Sequence, residues 1–270
     1  MLITADGIVI RSYPVGDHDS VVHILTEEHG RLPVMVKGSR SKRSGGESSS
    51  CTQLFTYGNY ELYRGKGDFF YLRNGSVLHS FYELSGDLAR VALATYLCDV
   101  AAELTDEGGS DETSELMRML LNSLYVLGRG SKPRSLVKGV FELRAASRSG
   151  YMPNLTGCTH CGNGYPDSAY LDVMNGRMLC ADCQSKLNRL AGRIVDAKAE
   201  ELGERRIICP MSSSVLAAVR YALTAPEKKI FSFSLADKEE EMSFERVAES
   251  YLLNQLERGF DTLQFYRSVE

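Results

Sequence analysis

The sequence predicts an α+β protein, in which a small five-stranded β-barrel precedes a mainly helical region with a cysteine-rich insert. Short β-branched runs bounded by glycine and turn residues occupy the first 80 residues. Apolar residues at spacings of three and four then recur through most of the remaining chain. We therefore expect a barrel domain at 1–80, a helical domain at 81–150 and 186–270, and a metal-binding insert at 151–185.

The barrel prediction comes from five runs in which β-branched, aromatic and alternating apolar residues are concentrated. Glycines and turn residues separate these runs, and five short strands of this kind are typical of a small closed or partly closed barrel. On the fourth run we expect Tyr60 and Leu62 to be buried, with Tyr57 and Tyr63 on the exposed face. The runs are Gly7–Arg11, Val21–Thr26, Leu32–Val36, Phe55–Tyr63 and Phe69–Arg73.

The helical prediction comes from apolar residues that fall on one face of a helix. The first three such segments precede the cysteine pairs, and the last two follow them. They lie near 84–97, 116–127, 136–147, 214–223 and 243–258.

Four cysteines form two Cys-x-x-Cys pairs, Cys158 with Cys161 and Cys180 with Cys183. Two residues between cysteines let one turn aim both thiolates at a single ion, and two such turns complete a tetrahedral shell that suits Zn²⁺. A filled shell leaves no position for a reactive water, so we expect one structural zinc ion. A redox-active pair would favour one motif at the start of a helix in a βαβ unit, and the sequence shows no such context.

Charge is unevenly distributed along the chain. The 270 residues carry 31 Lys and Arg against 35 Asp and Glu, a net charge of −4 that as an average argues against nucleic-acid binding. However, residues 31–44 contain five cations and no acid, and residues 129–148 contain six cations and one acid. Residues 99–115 contain seven acids and no Lys or Arg. This segregation favours a protein with one cationic binding face, although separate solvated helix faces would give the same pattern.

A basic glycine- and serine-rich loop beside an aromatic-rich barrel is the usual arrangement of a single-strand binder. The alternative is that the aromatic side chains are core and the loop is simply solvated. The predicted DNA-binding residues are Arg31, Lys37, Arg40, Lys42, Arg43, Tyr57 and Tyr63.

The sequence favours a binding protein over an enzyme. It contains no phosphate-binding glycine loop, no dinucleotide fingerprint, no nucleophile elbow and no zinc-protease motif. No apolar run is long enough to cross a bilayer and no secretion signal is predicted, so we expect a cytoplasmic, nucleoid-associated protein without a membrane partner.

The order of these features resembles the bacterial recombination mediator RecO family, over nearly the whole chain. The resemblance includes the four-cysteine insert within a helical region. Its other matching segments are Gly7–Arg11, Asp17–Thr26, Gly30–Leu32, Val36–Gly38, Leu54–Phe55, Tyr63–Gly65, Leu252–Arg258 and Leu263–Phe265.

The resemblance implies an N-terminal OB-fold, a helical domain that carries the zinc knuckle, and no catalytic activity. It implies a protein that binds single- and double-stranded DNA, anneals complementary strands, and works with RecR to load RecA onto DNA coated by SSB. It also implies a pocket in the helical domain for the acidic, apolar C-terminal tail of SSB, for which Arg134 and Lys138 are our predicted residues. The alternative is that the basic stretch 129–148 extends the DNA-binding surface. Two rivals stay open: a zinc-ribbon transcription regulator that reads one duplex, and a nuclease with an accessory zinc.

Overall fold

A computed structural model describes residues 2–40, 50–65, 67, 69–106, 108–198 and 207–270. The chain divides into two compact units, the first formed by Met1–Ser131 with Phe260–Glu270 and the second by Lys132–Gly259. No helix in the described ranges is both long enough and apolar enough to cross a membrane.

The first unit contains a closed five-stranded barrel in the order β1-β2-β3-β5-β4, which confirms the predicted fold class. Its neighbouring strands are antiparallel, except that β3 and β5 run parallel. The strands are β1 (Leu2–Val15), β2 (Asp19–Thr26), β3 (Gly30–Val36), β4 (Thr56–Arg64) and β5 (Phe70–Ser80).

Alternating side chains fill the barrel, because successive residues of a strand point to opposite faces. Along β3 and β4 buried and half-buried residues alternate strictly over most of the strand. Tyr60 and Leu62 are completely buried, as predicted. Among the described residues, β3 and β5 pair through Val34 with Phe70 and Met35 with Tyr71, and these pairs close the barrel.

Seven α-helices are described in addition to two 3-10 turns, at Tyr82–Gly86 and Glu227–Lys229. Asp87, Ser110, Ser212 and Asp237 cap four of them, each accepting a hydrogen bond from a backbone N–H of the first turn. The helices are α1 (Leu88–Glu103), α2 (Asp111–Arg129), α3 (Arg134–Arg148), α4 (Ala181–Lys198), α5 (Ser213–Thr224), α6 (Lys238–Gln255) and α7 (Asp261–Val269).

Helices α1, α2 and α7 belong to the same compact unit as the barrel. The Asp99 carboxylate on α1 links this helix to β1 and to α7, because it accepts hydrogen bonds from Arg11 Nε at 2.7 Å and from Thr262 Oγ1 at 2.8 Å. This division differs from the domains predicted from the sequence, which ended the first domain at residue 80 and assigned residues 81–150 and 186–270 to one helical domain.

The second unit holds α3, α4, α5 and α6 together with a small antiparallel sheet in the order β7-β6-β8. The strands are β6 (Ser168–Asp172), β7 (Arg177–Cys180) and β8 (Ile208–Ser212). These strands were not predicted, since four or five residues are too few to show a clear alternation. The sheet positions the cysteines, because Cys180 ends β7 and Cys183 lies in the first turn of α4.

Candidate metal centre and nucleic-acid interface

The four predicted metal ligands come together in the second unit. The Sγ atoms of Cys158, Cys161, Cys180 and Cys183 all lie within 4.8 Å of one another. The Cys161 and Cys180 sulfurs are 3.6 Å apart. Cys161 is exposed and the other three are buried. The arrangement can hold a metal ion.

Backbone hydrogen bonds shape the first knuckle and fasten it to the sheet. The N–H of Cys158 donates to the Asn163 carbonyl at 2.8 Å, and the N–H of Gly162 donates back to the Cys158 carbonyl at 2.8 Å. The N–H of Thr159 donates to the Met178 carbonyl on β7 at 2.9 Å. The two cysteine pairs are therefore brought together by a tight turn on one side and by the junction of β7 with α4 on the other.

The pKa values of Cys158 and Cys183 are shifted in opposite directions. Burial alone would raise the pKa of Cys158, but hydrogen bonds from the backbone N–H groups of Cys180, Cys161 and His160 lower that pKa to about 6. Contact with the Cys180 thiol, then burial and the other two cysteines, raises the pKa of Cys183 to about 12. A second thiolate in such a cluster is repelled by the first, so a cation is needed to ionise the whole set.

The donor set and its size fit zinc. Sulfurs in a tetrahedral shell about 2.3 Å from a zinc ion lie roughly 3.8 Å apart, close to the Cys161–Cys180 separation. Four soft thiolates are the ligands that Zn²⁺ takes in structural sites. When bound, the ion would link the knuckle at 158–161 to β7 and α4.

A separate group of side chains lies on the outer face of the barrel, and we call it the tyrosine stack (Lys37, Tyr71 and Tyr63). The rings of Tyr63 and Tyr71 are stacked, with centroids 5.4 Å apart and an interplanar angle of 19°. The Lys37 ammonium lies 5.4 Å from the centroid of the Tyr71 ring. Strand pairing sets this contact, because Tyr71 is opposite both Met35 on β3 and Tyr63 on β4.

The basic segment that follows β3 begins beside this stack. Lys37 and Arg40 are exposed. The segment is anchored to the β1–β2 turn, because the Arg40 N–H donates to the His18 carbonyl at 2.9 Å and the Gly38 N–H donates to Asp19 Oδ1 at 2.8 Å. Lys42 and Arg43 lie outside the described residues.

Arg31 is placed away from the stack and serves a structural contact. It lies near the start of β3, about 20 Å along the strand from Lys37 at roughly 3.3 Å per residue. Its Nε donates to the Thr105 carbonyl at 3.2 Å and its N–H donates to the Asp106 carbonyl at 3.0 Å. The structure therefore gives Arg31 a role in attaching the barrel to the segment after α1.

Tyr57 is separated from Tyr63 by a similar distance along β4, and its surroundings are acidic. It lines a cavity of about 330 Å³ together with Asp6, Glu27 and Glu28. Burial, followed by the charges of Asp6 and Glu27, raises the pKa of Tyr57. Carboxylates beside this ring disfavour a phosphate backbone, so the structure does not place Tyr57 with the cationic residues.

Lys138 does not lie on a partner-binding surface, which corrects the sequence prediction. Its side chain is completely buried, and Nζ pairs with Glu142, Glu245 and Glu249 at 3.0, 3.3 and 2.7 Å. Burial alone would lower the pKa of Lys138, but these three carboxylates raise it. Arg134, at the start of α3, is half-buried.

Arg144, another cation of the basic stretch, also points inward. It is buried, and its guanidinium donates to the carbonyls of Ala222 and Ala225. The cations of residues 129–148 therefore do not form one surface.

The sequence prediction omitted Tyr71 from the site. The signal was present, because a hairpin that pairs Arg64 with Phe70 necessarily sets Tyr63 opposite Tyr71.

Two family models match the chain. The model described as Recombination protein O N terminal matches residues 1–81, and Recombination protein O C terminal matches residues 85–192. The chain is 26% identical over 269 residues to DNA repair protein RecO of Acetivibrio thermocellus, covering 99% of this chain and 97% of that protein. It is 32% identical over 186 residues to DNA repair protein RecO of Symbiobacterium thermophilum, covering 67% of this chain and 71% of that protein.

The chain belongs to the RecO family. DNA repair protein RecO of Bacillus pumilus is another relative, 30% identical over 188 residues that cover 69% of this chain and 70% of that protein. Membership confirms the resemblance and gives the chain a role in DNA repair and recombination. The N-terminal match ends at residue 81, just beyond β5, so it spans the barrel with the tyrosine stack. The C-terminal match includes all four cysteines.

Proposed function

We propose that this RecO family member is a non-enzymatic recombination mediator. It binds single- and double-stranded DNA, anneals complementary strands, and with RecR helps to load RecA onto single-stranded DNA coated by SSB. The observation that carries the proposal is the tyrosine stack, where an exposed cation and stacked aromatic rings lie together on a small barrel. The family role in repair and recombination supports the same assignment.

Annealing follows from charge neutralisation. Lys37 and Arg40 contact phosphates in this proposal, and Lys42 and Arg43 of the same segment add two further cations. Each neutralised phosphate releases condensed counterions, so binding weakens steeply as salt rises. Two strands whose phosphates are neutralised repel each other less, which lowers the barrier to pairing.

The metal has a structural role in this proposal. One Zn²⁺ held by Cys158, Cys161, Cys180 and Cys183 has a filled shell, with no position at which it would activate water. Because Cys158 and Cys161 lie on the turn, Cys180 on β7 and Cys183 on α4, the four ligands would join these three elements around a bound ion. The ion thus stabilises the second unit and takes no part in DNA chemistry.

We place the site for the SSB tail in the second unit and keep Arg134 as its proposed cation, without Lys138. RecR binds the chain directly, whereas RecA is an indirect partner. We also propose that the protein works in the cytoplasm, at the nucleoid and away from membranes.

Annealing of two complementary oligonucleotides precoated with SSB tests the proposal. The wild-type protein should accelerate pairing, and a variant with Lys37, Arg40, Lys42 and Arg43 changed to alanine should lose most of that acceleration at moderate salt. Lys228→Ala is the matched control, because Lys228 is an exposed lysine of the second unit.

Three results would contradict the proposal. Absence of acceleration by the wild-type protein would exclude a mediator. Cleavage of the DNA in the presence of Mg²⁺ would indicate a nuclease. Strong preference for one duplex sequence would indicate a transcription regulator.

A further inference from the structure

The two rings of the tyrosine stack differ in how much of their surface a ligand can reach. Strand β5 lies between β3 and β4 in the barrel, so Lys37 and Tyr63 approach Tyr71 from opposite sides. Tyr71 is half-buried between them. Tyr63 keeps 42% of its surface exposed. On its other side Tyr63 is opposite Leu2 of β1, which is itself exposed, so Tyr63 is the ring with surface open to a further planar group.

The space for Tyr71 depends on Gly65, the residue directly after β4. A Cβ atom added at Gly65 would overlap the Tyr71 ring, with Cε2 and Cδ2 as the nearest atoms. The absence of a side chain at this position lets Tyr71 lie against the backbone and support Tyr63. Tyr71 and Gly65 are thus positioning residues, and neither needs to touch the ligand.

Cations lie on the strands beside the two rings. Lys37 contacts Tyr71 from the β3 side, and the exposed Arg73 lies two residues after Tyr71 on β5. Arg64 directly follows Tyr63, and its guanidinium lies 5.8 Å from the centroid of the Phe70 ring, because neighbouring residues of a strand point to opposite faces. Tyr57 offers a contrast on the same strand, because Asp6 and Glu27 are its charged neighbours. An aromatic ring with cations nearby suits a nucleic-acid strand, in which a flat base is followed by a phosphate.

We propose that Tyr63 is a base-stacking position, on which one base of single-stranded DNA lies while Lys37, on the other side of Tyr71, contacts a phosphate of the same strand. This inference rests on the proposed function and specifies its preferred substrate. In a duplex both faces of each internal base are already covered by neighbouring base pairs, so an unpaired base is required. Because every base has an aromatic face, the position accepts all four bases.

Binding of the full-length protein to two oligonucleotides of equal length tests the inference. One is oligo-dT and the other carries abasic sites in place of the bases, so both have the same phosphates. Affinity is measured by fluorescence anisotropy, and quenching of 2-aminopurine placed in a third oligonucleotide reports stacking directly. The wild-type protein should bind oligo-dT more tightly than the abasic strand and should quench 2-aminopurine.

Three variants separate stacking from charge. Tyr63→Ala should weaken binding to oligo-dT by at least about fivefold and leave binding to the abasic strand unchanged. Tyr63→Phe keeps the ring and should behave as wild type. Gly65→Ala removes neither a ring nor a charge, and it should reproduce the loss by displacing Tyr71. Tyr82→Ala is the control, since Tyr82 is 72% exposed outside the stack.

Different results would refute the stacking position and the proposed function. Equal weakening on both strands by Tyr63→Ala, or weakening on neither, would overturn the stacking position. Thermal unfolding of each variant shows whether a loss of affinity comes from misfolding. If Tyr63→Ala is misfolded, wild-type affinity of Tyr63→Phe for oligo-dT together with weakened affinity of Gly65→Ala still supports stacking. A wild-type protein that anneals strands without distinguishing the two oligonucleotides refutes this inference alone. One that neither binds nor anneals DNA refutes the proposed function.

Discussion

Replacing Lys138 by methionine removes a positive charge that contacts the buried carboxylate of Glu142. The Lys138 and Glu142 side chains are both 0% exposed, and they are 3.0 Å apart as an i,i+4 pair on α3. Glu245 and Glu249 on α6 contact the same ammonium and retain 16% and 18% exposure. The substitution keeps an unbranched side chain of similar length, so it mainly deletes charge.

The expected cost follows from this difference in exposure. Breaking a buried ion pair by removing one partner costs about 3–5 kcal/mol, because a charge is left buried without compensation. Glu142 accounts for most of this cost, since water screens the two α6 carboxylates in part. For a unit of this size the loss corresponds to a melting temperature lower by about 10 °C or more.

The pH dependence has a definite sign. The pKa of Lys138 is raised in the folded protein, since the three carboxylates outweigh burial. The stabilisation by Lys138 is therefore complete below the ordinary lysine pKa of about 10.4 and is lost only as the pH rises through the higher folded value. In the Lys138→Met variant, protonation of Glu142 relieves the cost, so the difference from wild type should shrink as the pH falls from 7 towards 5.

Thermal and urea unfolding of the zinc-loaded protein measure this difference. Lys138→Met combined with Glu142→Gln should recover at least about 1 kcal/mol relative to the single variant, because the buried negative charge is gone. Lys228→Met, at an exposed position in the same unit, should change stability by no more than about 0.5 kcal/mol. Wild-type stability of Lys138→Met at pH 7 would refute the reasoning.

Three further expectations concern other parts of the chain. Cys161→Ser should lower zinc affinity beyond the roughly 10- to 100-fold typical of outer-shell changes, as measured by metal content and competition with a chelator; undiminished zinc binding would contradict the four-cysteine site. Gly30→Ala should cost at least about 1–3 kcal/mol in unfolding experiments, because φ is +68° and the new Cβ would overlap the Asp106 carbonyl oxygen; an unchanged melting temperature would contradict this. Tyr57→Ala should leave affinity for oligo-dT unchanged in anisotropy titrations, and a loss would extend the DNA site to the acidic end of β4.

Local patterns with a fixed period were sufficient to predict much of the fold. The alternation in β3 and β4 identified Tyr60 and Leu62 as core residues, because a strand has only two faces. The spacing of the cysteines predicted their meeting, since two residues between thiols fix their separation in a turn. Neither inference required knowledge of distant contacts.

Charge in the sequence was a poorer guide to the surface. Every residue from Leu136 to Ala146 is buried, so α3 has no solvated face along that length. Lys138 and Arg144 in such a helix find partners inside the unit. The scarcity of polar residues in this stretch, and the i,i+4 spacing of Lys138 and Glu142, were the signals that it is a central helix.

The parallel pairing of β3 with β5 gives the barrel a short seam, formed in the described residues at Val34 with Phe70 and Met35 with Tyr71. Opening at this seam breaks fewer backbone hydrogen bonds than separation of any antiparallel pair, so its amides should exchange with solvent first. Lys37 from the β3 side and Tyr71 from the β5 side meet across it. A DNA strand bound there would contact both β3 and β5 and would oppose opening of the seam. The free energy of opening the barrel would then include the free energy of releasing the DNA.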